Sequence, residues 1–343
     1  KIEKYISKTN KMQDLLKDTA VLNLLPPKRT LIYLTDDQTV ESCLDVLTRN
    51  SLESAPVMEK GSKTKCLGFL DMFHFVRFLV NIASEGDIDK DRIDDAIQRA
   101  TKFLGKTAAD VIASYGCMPY YAIDCAAPAA AAAALMVEHG VWRVGVTRGG
   151  SLLSVVASSD ITSRLGRGAS RPDQPLDIPR DILKQTLTEA ATNGFLTHVN
   201  VGVTTIDKFN DNDDEKRIIV AKKSDTLLSC FGGMAQEGAV GVVDDVDGTL
   251  WGNVSPWDLK FLNHHSLISL ALPVETFLHH VREKMMMPAD YLVSVTPTTT
   301  IEALLRQMTG ANVEKIYVVD KDKKPIGVVT AIELLGVLSQ KKK

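Results

Sequence analysis

Apolar residues return every three or four positions at Val40, Leu44 and Leu47, and again at Ile301, Leu304, Leu305 and Met308. That period predicts helices with one buried face. Each helix leads into a short β-branched run: Ser54-Ala55-Pro56-Val57, Arg143-Val144-Gly145-Val146, Val240-Gly241-Val242-Val243 and Lys315 to Asp320. Hairpin signals follow three of these runs, at Arg148-Gly149-Gly150, Asp247-Gly248 and Asp322 to Pro325. The next strand enters its helix through one recurring pattern, Gly-apolar-apolar-Ser/Thr-x-x-Asp. Its copies are GFLDMFH from Gly68, SVVASSD from Ser154, GNVSPWD from Gly252 and GVVTAIE from Gly327, of which only the third is complete. The expected fold class is therefore α+β, with four β-α-β-β-α repeats. No repeat holds enough apolar residues to close a core alone, so the repeats should pair.

The stretch from Gly166 to Arg180 is rich in Gly, Pro and charge and marks the expected boundary. It divides the chain into modules at 1–168 (repeats near 12–82 and 105–166) and 181–343 (repeats near 195–263 and 275–340), with a linker at 169–180. The alanines from Ala126 to Ala134 read first as a strong helix former running on to Glu138. Gly232-Gly233 inside a helical pattern predicts close backbone packing or a broken helix, since each Gly costs roughly 1 kcal/mol against Ala. The acids of Asn210 to Lys216 and of Asp244 to Gly248 lack the spaced ligands, central Gly and distal Glu of a calcium loop. The second group reads as a hairpin turn.

Composition narrows the function classes. A chain of 343 residues, 45% hydrophobic and 24% charged, is of ordinary globular make-up. Its net charge of −3 gives no footprint for nucleic acid. Cys43, Cys66, Cys117, Cys125 and Cys230 are scattered and odd in number, which points to free thiols in a reducing compartment. The longest apolar candidate, Leu67 to Ile82, contains Asp71, His74 and Arg77, so no membrane span is expected. The chain opens on Lys1, as expected of a piece of a longer sequence. His264-His265 and His279-His280 are adjacent pairs that do not share a helix face, and no metal site is expected there. Cys230 reads as a buried inert thiol. No nucleophile elbow, P-loop or zinc-protease pattern is present, so the chain is not expected to be an enzyme.

The four patterns resemble the CBS repeat, named after cystathionine β-synthase, whose pairs form Bateman modules. Four in one chain look most like the γ subunit of AMP-activated and SNF1-type protein kinases. The resemblance implies a regulatory protein of the cytoplasm and also of the nucleus, with AMP, ADP or ATP as regulatory ligand and no catalytic cofactor. It implies as partners a Ser/Thr kinase catalytic subunit and a scaffold subunit, or a second copy in a homodimer, and neither nucleic acid nor membrane. In that family the pattern's final carboxylate accepts both ribose hydroxyls, as an acceptor-only group at a helix start can. Carried over, Asp160 and Asp258 are the ribose acceptors, with Ser255 at the hydroxyl position. Thr330 and Glu333 hold the fourth pattern, with a carboxylate one methylene longer. His74 and Asp71 replace the pattern in the first repeat, where the ribose site is expected to be lost. Arg143 and Lys315 would neutralise phosphate, Thr296 before Pro297 would touch ligand, and Trp142 could stack on a base. Glu53 and Glu314 stand where the family prefers basic groups, which argues against multi-site phosphate sensing. The alternatives are a ligand-free CBS scaffold for protein partners and a binder of another adenosyl ligand, such as S-adenosylmethionine.

Overall fold

In a computed structural model of the chain, the described residues are 16, 18–25, 31–62, 65–84, 93–169, 180–192, 203–205, 218–237, 239–263, 265–288 and 291–339. The first repeat runs β1 (Leu34–Thr35), α1 (Val40–Arg49), β2 (Ser54–Met58), β3 (Cys66–Asp71) and α2 (Met72–Ser84). Helices α3 (Ile93–Gly105) and α4 (Ala108–Tyr115) lead to the second repeat. That repeat comprises β4 (Ala122–Asp124), α5 (Ala129–His139), β5 (Arg143–Arg148), β6 (Ser151–Ala157) and α6 (Ser158–Ala169). Short helices α7 (Arg180–Leu183) and α8 (Leu187–Thr192) precede the third: β7 (Val203–Thr205), β8 (Ile218–Lys222), α9 (Leu227–Glu237), β9 (Val240–Val243) and β10 (Leu250–Val254). The third repeat closes on a 3₁₀ helix, Pro256–Phe261, and α10 (Val274–Lys284) follows. The fourth has β11 (Ser294–Val295), α11 (Ile301–Ala311), β12 (Lys315–Val319), β13 (Pro325–Thr330) and α12 (Ala331–Ser339).

The expected α+β, β-α-β-β-α plan is thus present in repeats one, two and four, and the third follows it with a 3₁₀ helix in the last place. Three sheets have three strands each, and the third repeat's sheet gains β7 at its edge. In each repeat the strand before the first helix is parallel to the strand after it, which pairs antiparallel with the next. Parallel neighbours need a crossover, and the first helix supplies it.

Contacts divide the chain into two compact units. One joins 1–31, 121–201 and 293–343, and so holds repeats two and four; the other joins 32–120 and 202–292, and holds repeats one and three. These units cut across the expected halves, 1–168 and 181–343. The reason lies in the helix faces, whose apolar stripes find partners from the opposite half. In one unit, Phe75 and Leu79 of α2 share a core with Leu227, Phe231 and Met234 of α9. In the other, Ile161 and Leu165 of α6 share a core with Leu304, Leu305 and Met308 of α11 and Leu334 of α12. Full burial of one such side chain contributes about 1.5–3 kcal/mol, which no single repeat accumulates in sufficient number. Ala129, Ala132 and Ala133 are buried in the same core, so the alanine helix is a packing surface as well as a strong helix former.

Segments that lead into a repeat bond to the first helix of its neighbour. Val40 N–H reaches Lys106 C=O at 2.6 Å, while Ala108 N–H reaches Gln38 C=O at 2.9 Å. The residues before repeat two therefore cap the helix of repeat one. Reciprocally, Ala129 N–H of repeat two donates to Thr19 C=O at 2.7 Å and Val21 N–H to Ala127 C=O at 2.8 Å, from the segment before repeat one. The second half repeats the exchange: Val274 N–H to Asp225 C=O at 2.7 Å, and Leu187 N–H to Thr299 C=O at 2.9 Å. Helix ends leave backbone donors orphaned, and these pairings satisfy them two helices at a time.

The region expected as linker is helical at both flanks: Gly166 to Ala169 complete α6, and Arg180 opens α7. Residues 170–179 lie outside the described residues, as do the acids of 210–216. Across Gly232-Gly233 the helix is unbroken, and a Cβ at Gly232 would meet nothing within 4 Å. Asp244 to Gly248 form a turn, with Gly248 at φ 73° and its N–H donating to Asp244 C=O at 3.1 Å.

Candidate functional site

The pattern's last residue meets the residue at its Ser/Thr position in every repeat. In the third, Asp258 Oδ2 accepts the Ser255 N–H at 2.7 Å and the Ser255 hydroxyl at 3.1 Å. In the fourth, Glu333 Oε2 accepts the Thr330 N–H at 3.0 Å and its hydroxyl at 3.1 Å, and Glu333 N–H returns to the Thr330 hydroxyl at 3.2 Å. In the second, Ala157 has only its N–H to give, and Asp160 Oδ2 takes it at 2.8 Å. The first repeat inverts the chemistry: Asp71 Oδ1 lies 2.7 Å from Nδ1 of the buried His74 and accepts the His74 N–H at 3.0 Å. These are helix N-terminal caps, and the longer Glu333 closes its cap as well as an aspartate does.

Sheet register places a second residue beside each cap. Arg143 lies opposite Ala157, Lys315 opposite Thr330, and Ser54 opposite Asp71. In the third repeat Val240 lies opposite Val254, one residue before Ser255. Arg143 and Lys315 thus stand at the same sheet ends as the carboxylates Asp160 and Glu333.

Within one unit these two ends meet. An Arg143 Nη2 lies 3.7 Å from Glu314 Oε1, with the side chains only 10% and 18% exposed. The Lys315 ammonium lies 5.6 Å from the centre of the Trp142 ring. The expected base-stacking Trp142 therefore carries a cation on its ring. Thr296 is exposed, and its hydroxyl lies 3.0 Å and 3.3 Å from those of Thr298 and Thr299 in its own loop.

In the other unit the complete pattern has neighbours that the sequence reading missed. The Lys260 ammonium sits 4.2 Å from the Trp257 ring centre and 4.8 Å from that of Phe261. Burial pulls the Lys260 pKa down, opposed by the charges of Asp258 and Glu53. Burial also pushes Asp258 up to about 6, against the lowering effect of its Ser255 hydrogen bonds and of Lys260. Trp257 and Lys260 flank the aspartate in sequence, so their spacing around the motif was the available signal.

Other candidates are accounted for locally. His279 lies 3.7 Å from Glu275 and edge-on to Trp251, and His265 is exposed, while His264 lies outside the described residues. Among the described residues no group of three His, Cys, Asp or Glu could hold a metal. Cys230 is fully buried, and burial raises its thiol to about 12. No helix among the described residues is long and apolar enough to cross a membrane.

By sequence, residues 272–340 match the CBS domain family. That match spans α10 and the fourth β-α-β-β-α repeat. The fold is similar to that of a Methanocaldococcus jannaschii protein whose description offers it as an archaeal homologue of γ-AMPK. That likeness has a TM-score of 0.60 at 14% identity and covers 92% of this chain and 99% of the other. A conserved Pyrococcus horikoshii protein aligns with 93% of this chain and 100% of its own, at 15% identity and a TM-score of 0.48. A Pyrobaculum aerophilum CBS domain protein complexed with AMP aligns with 41% of this chain and 89% of its own, at 17% identity and a TM-score of 0.31. No curated protein matches the chain by sequence. At 14% identity the likeness to the Methanocaldococcus jannaschii protein concerns the fold alone.

Proposed function

We propose that this chain is a non-catalytic regulatory protein whose CBS repeats bind an adenine nucleotide, in the manner of a kinase γ-like subunit. The observation that carries the reading is Asp258. One carboxylate oxygen is committed to the Ser255 cap, and Oδ1 has no hydrogen-bond partner among the described residues. A partly buried carboxylate oxygen with its rotamer already locked is a prepared acceptor for a ribose diol. Asp160 caps its helix at the equivalent position, its Oδ2 accepting the Ala157 N–H, and Arg143 and Lys315 supply cations at the sheet ends for a phosphate. The modules at 1–168 and 181–343 belong to this reading as what the resemblance to paired CBS repeats implies. A kinase catalytic subunit and a scaffold subunit are the partners this reading carries.

Calorimetric titration with AMP, ADP and ATP tests it. Binding should be measurable, should raise the melting temperature with ligand concentration, and should weaken at least tenfold in Asp258→Asn, which keeps a cap acceptor but loses the carboxylate. Absence of heat and of thermal shift at millimolar ligand would sink the proposal. The competing reading, a ligand-free scaffold, draws on the Arg143–Glu314 pair and predicts that outcome.

A further inference from the structure

Two lysines converge on one aromatic ring beside the third repeat's cap. The Lys260 ammonium lies 4.8 Å from the centre of the Phe261 ring, and the Lys284 ammonium 5.7 Å from the same centre. Lys260 belongs to the 3₁₀ helix Pro256–Phe261 and Lys284 is the last residue of α10, both in one compact unit. Trp257 and Phe261 are packed, partly buried, against the core of that unit, and Lys260 also stands 4.2 Å from the Trp257 ring centre. The core therefore fixes the two rings as an apolar floor beneath the cations. Among the described residues neither ammonium has a carboxylate at ion-pair distance. Asp258 and Glu53 act on Lys260 through their charges, without a hydrogen bond to it. A helix C-terminus accounts for a cation at position 284. It does not account for a second ammonium drawn to the same ring, where like charges repel and the burial of Lys260 reduces screening by water.

We propose that Lys260 and Lys284 form an anion site whose ligand is of the phosphate class. An anion between the two ammoniums relieves their repulsion and accepts charge-assisted hydrogen bonds from both, each group having three donors. Two cations favour a ligand of two or more negative charges over a single carboxylate. A lysine acts as a compact point charge and imposes no planar geometry, which suits the tetrahedral oxygens of a phosphate. The site is separate from Arg143 and Lys315, which lie in the other unit, and it does not depend on a ribose at Asp258. Its phosphate has two chemical sources: a free polyphosphate, or the phosphates of a nucleotide whose ribose rests on Asp258.

Calorimetric titration of the full chain with inorganic pyrophosphate, and separately with AMP, tests the site at constant ionic strength without divalent cation. The proteins are wild type, Lys260→Gln, Lys284→Gln, Lys260→Arg, Lys284→Arg and, as a control in another repeat, Lys321→Gln at an exposed turn. Pyrophosphate should bind the wild type saturably, and each change to Gln should weaken it about tenfold. The Arg variants keep the charge and should stay within about threefold of wild type, and Lys321→Gln should match wild type. Pyrophosphate that competes with AMP supports the site with the nucleotide's own phosphates as its ligand. Pyrophosphate and AMP bound together support it with a free polyphosphate. Absence of pyrophosphate heat at millimolar concentration overturns the proposal, as does binding unmoved by both Gln variants. An equal loss in Lys321→Gln reveals general electrostatic attraction, an equal loss in the Arg variants reveals structural damage, and either overturns it. Pyrophosphate binding without any binding of AMP leaves this site standing and removes the nucleotide reading. AMP binding without pyrophosphate binding, and unmoved by both Gln variants, does the reverse.

Discussion

At the scale of single residues, Asp258 carries two tasks that pull its ionisation in opposite directions. Capping and ribose binding both favour the carboxylate, whereas burial raises it from 3.8 to about 6. A raised folded-state pKa means that the folded protein holds the proton more tightly than the unfolded chain does. The group therefore supports stability fully below about pH 4, and that support is lost as pH rises through about 6. Asp258→Asn should consequently stabilise the free protein at pH 7–8, by on the order of 1 kcal/mol, and the gain should vanish near pH 4. Chemical denaturation across that range measures it, and a gain independent of pH would contradict the assignment. Ligand binding should run the other way. A diol needs the ionised carboxylate, so nucleotide affinity should fall as pH drops below 6. At this scale the sequence located the carboxylates but not their state, because burial depends on residues that fold in from other elements, and so does the Glu53 charge that acts on Lys260.

Among the helices, two glycines that look alike in sequence have opposite meanings. Gly166 lies where α6 crosses α11, and a Cβ there would stand 2.2 Å from the Thr309 Oγ1. Gly166→Ala should therefore cost about 1–3 kcal/mol through overpacking, with part of the loss recovered in combination with Thr309→Ala. Additive effects of the two substitutions, measured by urea unfolding, would argue against the contact. Gly232 has open space in an unbroken helix. Gly232→Ala should stabilise by up to about 1 kcal/mol, since it removes only the entropic cost of glycine. The sequence reading offered a broken helix or close packing at Gly232, and neither occurs there. It also passed over the capping box of Thr107 and Asp110, in which Asp110 Oδ2 accepts the Thr107 N–H at 2.8 Å. That Ser/Thr-x-x-Asp/Glu signal was readable, but its use in pairing two helix starts was not.

For the molecule as a whole, the two cores follow neither half of the chain. The apolar faces of α2 and α9, and of α6 and α11, are contributed from either side of residues 169–180. A chain cut within that stretch should leave each half with exposed Phe and Leu side chains. The isolated 1–168 piece is expected to self-associate or to bind a hydrophobic dye, and to lack a cooperative melt. Mixing it with 181–343 should restore one. A monomeric 1–168 that unfolds cooperatively by both light scattering and calorimetry would show that the cross-half cores are dispensable.

The sequence alone determined the repeat, its strand and helix order, and the positions of the four caps. These are local matters, set by side-chain period, by turn residues and by hydrogen bonds spanning three residues. Tertiary structure alone decided which repeats share a core, which leading segment caps which helix, and that Arg143 meets Glu314. Those outcomes depend on groups from about fifty to more than a hundred and fifty residues apart, and four similar repeats offer each face several sequence-compatible partners. Only packing in three dimensions selects among them.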